Sequence, residues 1–200
     1  MENFDDNLEK IKNMIINDPI NEAYTSKNIM PLYSVNKNSK ILIVGQAPGI
    51  KAQNSKITWN DKSGDTLRQW LGVSKDEFYN TNLFGLIPMD FYYPGKGKLG
   101  DLPPRKEFFH YHDLILPNLV KVKLIILVGF YAQKYYLKDL VQNNLTNTVK
   151  MFDSYLPKYI VIPHPSPLNF RWLNKNPWFS NDIVPKISLI VRSILNNKKN

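Results

Sequence analysis

The residues best placed to do chemistry sit in one proline-framed loop, Pro163-His164-Pro165-Ser166-Pro167-Leu168-Asn169. Each proline fixes its own φ and pushes its predecessor out of the αR region, so the segment reads as a stiff, non-helical loop. It presents one imidazole, one hydroxyl and one projecting leucine, groups that can meet a ligand or simply hold the loop together. An isolated His-Pro is more often a structural hydrogen bonder, so a second element is needed. Gly45-Gln46-Ala47-Pro48-Gly49 supplies it. Its glycines permit close approach of a ligand, and successive backbone N–H groups can cradle an anion, although Pro48 removes one donor. No Lys-Ser/Thr follows at P-loop spacing and Gly-x-Gly-x-x-Gly is absent, which weakens nucleoside triphosphate and dinucleotide readings.

Two apolar runs must position these loops. Ile41-Leu42-Ile43-Val44 reads as a central parallel strand and Tyr159 to Ile162 as a short buried one. In open α/β sheets ligand sites gather outside the carboxyl ends of the strands, so both loops can face one crevice. Further strands are predicted over 83–87 and 124–128. Phe4, Leu8, Ile11 and Ile15 recur at helical spacing, and Asp18-Pro19 ends that first helix near Asn17. Residues 20–39 read as an irregular connection anchored by Tyr24 and Tyr33. Residues 50–62 show no clear periodicity and hold Trp59, Asn60 and Asp61. A helix beginning at Ser63 or Gly64 should follow, with Leu67, Trp70 and Leu71 on one side. Ser74-Lys75-Asp76-Glu77 is a capping box. Further helices are predicted over 105–116, 131–137 and 146–152, and a last amphipathic one carries Ile183, Ile187, Ile190, Val191 and Ile194. Residues 88–98 combine aromatics, glycines and lysines, suited to a nucleic-acid backbone or to an ordinary tight loop. Lys96 and Lys98 are phosphate-contact candidates there. His110 and His112, two apart, cannot share a helix face, and a metal site has little support.

Composition narrows the classes. Two hundred residues, 43% hydrophobic and 22% charged, suit one globular domain. We divide the chain into an N-terminal helix and connection (1–39) packed on the core, a main domain (40–196) and a frayed tail (197–200). The longest apolar run, 124–128, is far short of the roughly 20 residues that cross a bilayer. Residues 1–10 are acidic and polar, unlike a secretory signal, so a cytoplasmic protein without membrane association is expected. With Cys 0, disulfides, thiol catalysis and thiolate-held metal or iron–sulfur sites are excluded. Lys+Arg 26 against Asp+Glu 17 gives +9, which favours a polyanionic partner, though a lysine-biased proteome gives the same balance.

The two loops together resemble the uracil-DNA glycosylase superfamily: Gly45 to Gly49 is similar to its first motif and His164 to Leu168 to its His-Pro-Ser-Pro-Leu loop, over residues 40–196. The resemblance implies a single-domain three-layer α/β/α sandwich with a four-stranded, mainly parallel sheet whose order, counting the four core strands along the chain, is 2-1-3-4. It implies hydrolysis of the N-glycosidic bond of uracil, or a related deaminated base, in single-stranded or duplex DNA by a cofactor-free, nucleoid-associated monomer that initiates base excision repair. It further implies a cysteine-free, bacterial-type branch with a weakened first motif. His164 would then donate to the departing base, Trp59 would stack on it, and Leu168 would fill the vacated stack. Arg171 and Lys175 would grip flanking phosphates, with Ser166 and Asn169 beside them. Ala47 and Gly49 would line the base pocket, with Gly49 leaving room for a 5-substituent. Asn82, or Asn80, would read the base edge. The departure lies in the first motif. Gln46 can orient water but not deprotonate it, Ala47 can do neither, and Asp61 or Asp65 could take over. Two other readings stay open: a catalytically silent nucleic-acid-binding relative, and an α/β hydrolase acting on a small metabolite, for which no Gly-x-Ser-x-Gly elbow is present.

Overall fold

The computed structural model describes residues 4–98 and 100–196. Four fully parallel strands, β1 (Ile41–Gly45), β2 (Phe84–Pro88), β5 (Leu124–Val128) and β6 (Tyr159–Ile162), form one sheet in the order β2-β1-β5-β6. This is the strand order that the family resemblance implies. A separate antiparallel hairpin pairs β3 (Lys96–Gly97) with β4 (Gly100–Asp101).

The sheet is buried on both faces, so its strands carry near-continuous apolar runs rather than alternation. The period of two still sorts the side chains. Ile41, Ile43, Leu124, Ile126, Ile160 and Ile162 enter one core, and Leu42, Val44, Ile125, Leu127 and Val161 the other. The helices in chain order are α1 (Phe4–Asn17), α2 (Glu22–Thr25), α3 (Ile50–Ser55), α4 (Lys62–Leu71), α5 (Lys75–Tyr79), α6 (His110–Ile115), α7 (Phe130–Leu137), α8 (Leu145–Lys150), α9 (Phe170–Lys175) and α10 (Val184–Asn196). Helices α4, α5, α8 and α10 cover the first face through Leu67, Trp70, Phe78, Val149, Ile187 and Val191. Helices α1, α6 and α7 cover the second through Ile11, Ile15, Tyr111, Ile115, Ala132 and Leu137. The result is a three-layer α/β/α sandwich. No helix among the described residues is long and apolar enough to cross a membrane.

Several local expectations change. Residues 50–62 are not wholly irregular, because α3 forms immediately after the first loop, capped by Gly49. Helix α4 begins at Lys62 rather than at Ser63 or Gly64. Asp61 is its N-cap, and the carboxylate accepts from the Gly64 N–H at 2.9 Å. The single helix expected over 105–116 is instead a 3-10 turn (Lys106–Phe108), α6 and a second 3-10 turn (Leu116–Asn118) that accommodates Pro117. The stretch expected as one helix over 146–152 is α8 followed by a 3-10 turn, Phe152–Tyr155. The capping box forms with both reciprocal bonds, Ser74 to the Glu77 N–H and Glu77 to the Ser74 N–H. The tail 197–200 lies outside the described residues.

The largest correction concerns 88–98. Met89, Asp90, Phe91 and Tyr92 are buried rather than offered to a partner. Asp90 is fully buried and receives Arg105 through Nε and Nη2 at 2.7 and 2.8 Å, together with the N–H groups of Tyr92 and Arg105. A carboxylate at zero exposure is tolerated only when so completely paired. Arg105 in turn lies beneath the ring of Tyr24 and donates to Asn21 Oδ1 at 3.2 Å.

Candidate active site

The carboxyl ends of β1, β2 and β6 open on one cleft of about 430 Å³. Its floor is Gly45 to Gly49. One wall is Thr58, Trp59, Asp61 and Ser63, and the opposite wall is the β3–β4 hairpin through Gly100, Asp101 and Leu102. The proline loop closes it with His164, Ser166, Leu168 and Asn169.

The floor is fixed by two backbone bonds into the segment after β2. Met89 N–H donates to Gly45 O and Asp90 N–H to Gln46 O. The Asp90–Arg105 pair therefore holds the first loop as well as its own. The Gln46 side chain, half-buried, lines the cleft beside Ala47.

Trp59 is held more tightly than any loop tryptophan needs to be. It has a positive φ of 56°, a conformation that costs a bulky residue of order 1–3 kcal/mol and persists only when the surroundings enforce it. Here they do. Arg68 and Tyr79 both converge on its carbonyl oxygen, at 3.4 and 3.2 Å. Gly64 lets that carbonyl approach so closely that a Cβ would sit 1.8 Å from the oxygen. At the other end Gly45 makes room for the indole, since a Cβ there would lie 2.8 Å from Cζ2. Two glycines far apart in sequence thus clear one berth for one ring, a reason for glycine that has nothing to do with turns.

His164 follows β6 directly. Its ring centroid lies 5.7 Å from that of Trp59 at a tilt of 31°. The Ser166 N–H donates to Nδ1 at 3.2 Å. An imidazole nitrogen that accepts carries no proton, so the neutral ring bears its proton on Nε2. No other described residue pairs with Nε2. Burial pushes the His164 pKa below its ordinary value, against the opposing charges of Asp61 and Asp101. The neutral Nε2–H form is therefore the one present near pH 7. Asn169 completes the loop by donating its amide to His164 O at 2.7 Å.

These contacts redistribute the expected roles. Gln46, Ala47, Gly49, Trp59, Asp61, His164, Ser166, Leu168 and Asn169 all reach the cleft. Within it, Ser166 and Asn169 spend hydrogen-bonding groups on the loop: Ser166 Oγ accepts from the Leu168 N–H, and Asn169 grips His164. Leu168 stands 76% exposed at the rim, which no packing role requires. Arg171 and Lys175 lie exposed on α9, next along the chain, and Lys96 and Lys98 lie exposed on and beside β3. Asn82 does not belong to the cleft. It is exposed before the amino end of β2, opposite the cleft, where its Oδ1 accepts from Asn38. A parallel strand carries its two ends apart, and Asn82, which precedes β2, lies at the end away from the cleft. Asp65 pairs with Arg68 and does not line the cleft.

Sequence reasoning passed over Asp101. It lines the cleft and accepts from the Tyr93 OH at 3.2 Å through Oδ1. Oδ2 lies 3.9 Å from where a side chain on Gly49 would begin. The available signal was the glycine spacing of Gly95, Gly97 and Gly100, which marks a chain reversal. His112, by contrast, is a structural histidine. Fully buried, it bridges Tyr136 Oη (2.7 Å) and the Pro88 carbonyl (2.9 Å), and burial pulls its pKa down to about 4. Among the described residues no group of three or more His, Cys, Asp or Glu is placed to hold a metal ion.

Residues 32–188 match the family model of the uracil DNA glycosylase superfamily. The chain belongs to that superfamily. The match is to the superfamily as a whole and singles out no bacterial-type branch. Among solved structures it is similar to a solution NMR structure from Methanosarcina acetivorans provisionally described as a uracil DNA glycosylase. The identity is 18%, the TM-score 0.47, and the similarity covers 81% of this chain and 94% of that one.

Proposed function

We propose that this protein is a monomeric DNA glycosylase that hydrolyses the N-glycosidic bond of uracil, or a related deaminated base, and so initiates base excision repair in the cytoplasm, at the nucleoid. The observation that carries the reading is the bond from the Ser166 N–H to His164 Nδ1, which leaves the neutral imidazole an Nε2–H that no other described residue claims, on a proline-stiffened loop at the rim of a cleft floored by the first motif. Such a donor stabilises the negative charge that grows on a pyrimidine carbonyl as the base departs, and its fixed loop means little reorganisation. Within duplex DNA the target atom is inaccessible, so the nucleotide must be extruded. Trp59 receives the extruded base, Leu168 fills the gap it leaves, and Lys96, Lys98, Arg171 and Lys175 neutralise phosphates around it. The net charge of +9 favours this partner. Gly49 leaves space for a 5-substituent. The route uses a hydrogen-bond donor and a water molecule and calls for no cofactor. The branch we favour is a cysteine-free one of bacterial type.

Ala47 favours a second reading, a DNA-binding relative without catalysis, because it offers water no side-chain acceptor. A panel of single-lesion oligonucleotides decides. Uracil should be released, faster from G·U mismatches and single strands than from A·U pairs, since a weak catalyst depends on easily extruded bases. Silence across the panel with salt-sensitive binding intact would leave the binding-only reading standing. Loss of salt-sensitive DNA binding as well would favour a metabolite hydrolase.

A further inference from the structure

We propose that Asp101, on the β3–β4 hairpin, positions and deprotonates the attacking water, the task for which the first motif has no carboxylate. The inference rests on the glycosylase reading above and adds a residue to it. Three carboxylates lie near the cleft; Asp61 and Asp101 each spend Oδ1 on one bond and keep Oδ2, so what each is tied to separates them. Asp65 is turned away, paired with Arg68. Asp61 faces the cleft but spends Oδ1 capping α4 through the Gly64 N–H at 2.9 Å. Pulling it toward a substrate would uncap the helix that carries Gly64, and Gly64 is what seats Trp59. Asp101 is anchored by Tyr93 through Oδ1, which leaves Oδ2 to accept. Oδ2 faces Gly49, and the missing side chain at that position leaves a gap between the carboxylate and the floor of the cleft. A water molecule that donates to Oδ2 would stand in the cleft whose floor is Gly45 to Gly49.

The step balances without a co-reactant. The C1′–N1 bond breaks and its electron pair leaves with the pyrimidine, whose carbonyl oxygen accepts from His164 Nε2–H. The water oxygen bonds to C1′ and passes one proton to Asp101. That proton returns to solvent, and the released base takes one up at N1. While the sugar carries positive charge, the Asp101 carboxylate also stabilises it electrostatically.

The test is single-turnover base release from a uracil-containing duplex, paired with binding to a non-cleavable duplex. Asp101→Asn keeps an oxygen for Tyr93 and removes only the charge and basicity. Release should fall by about two decades or more, as for loss of a general base, with affinity and thermal midpoint unchanged. Formate added to Asp101→Ala should restore part of the rate, which a purely structural residue would not allow. Tyr93→Phe and Asp61→Asn should each cost only a few-fold. Parent-like release by Asp101→Asn overturns the assignment, and so does an equal loss in Tyr93→Phe, which would make hairpin anchoring the role. A larger loss in Asp61→Asn transfers the role to that residue. A parent protein that releases no base from any lesion overturns the functional reading itself, which is a different result.

Discussion

The Ser166 N–H points at Nδ1 of His164, two residues back along the same loop, at 3.2 Å. Protonating that nitrogen would set two donors against each other, so the bond fixes the tautomer and opposes the charged form, as burial also does. The neutral Nε2–H form should therefore persist in imidazole ¹⁵N correlation spectra well below the pH at which a free histidine titrates. Base release should hold level as pH rises above the ordinary imidazole range and fall only on the acid side. A profile that falls as pH rises through that range would mean that the charged imidazole is the working form.

His164→Ala should lower single-turnover excision by about two to three decades, the usual cost of one preorganised oxyanion donor, or about 2.7–4 kcal/mol. DNA affinity should change little, since phosphate contacts carry most of it. Gln46→Ala should cost clearly less, because an amide orients water without taking its proton. Were Gln46→Ala the more damaging of the two, water positioning would outrank leaving-group stabilisation.

Leu168→Ala should weaken action on duplex DNA more than on single strands. The exposed leucine offsets lost stacking, and a single strand has less stacking to lose. Equal losses on both substrates would make Leu168 a loop-packing residue.

Gly64→Ala should destabilise the fold by about 1–3 kcal/mol or more, since the new methyl meets a backbone oxygen rather than a pliable side chain. Chemical denaturation measures this. The variant should also lose excision by displacing Trp59, whereas Gly95→Ala, on the hairpin, should leave the Trp59 fluorescence environment unaltered. An unperturbed Gly64→Ala protein would mean that the berth for Trp59 is looser than its contacts indicate.

His112 makes stability depend on pH. Its folded pKa of about 4 lies below the unfolded value, so the unfolded chain binds the extra proton between the two. The stability it permits is fully present above pH ~6.5 and is lost as pH falls toward 4, by up to about 3 kcal/mol. Urea unfolding midpoints measured across that window should fall with acidity, and His112→Gln should flatten the slope while lowering stability at neutral pH.

Strand positions and both motif loops were legible in the sequence because they depend on local rules: uninterrupted apolar runs, prolines that forbid helix, a capping box with its spacing intact. Asp61 could be read as cleft-facing but not as a cap, since capping depends on where the first turn closes. Asn82 was misplaced although its position ahead of β2 already sets it at the amino end, away from the cleft; an amide suits a base edge wherever it stands. Phe91 and Tyr92 could be read either as a binding surface or as an ordinary tight loop, because aromatics with nearby cations look alike whether they face DNA or Arg105. Asp101 was missed for another reason: the glycine spacing marks a chain reversal, but only the hairpin, formed by pairing Lys96 with Asp101, turns the carboxylate toward Gly49.

The pair formed by Asp90 and Arg105 bears on how this chain can be shortened. The family match begins at residue 32, and a fragment cut there would keep every strand and both motif loops. It would also strip Asn21 and Tyr24 from Arg105, opening to water one side of the ion pair that anchors the floor of the cleft. The boundary drawn by likeness therefore cuts through the contacts that enclose this ion pair. Asn21 and Tyr24 act as a remote clasp on the floor of the cleft, and a minimal fragment that ignores them trades a tidy border for a slack one.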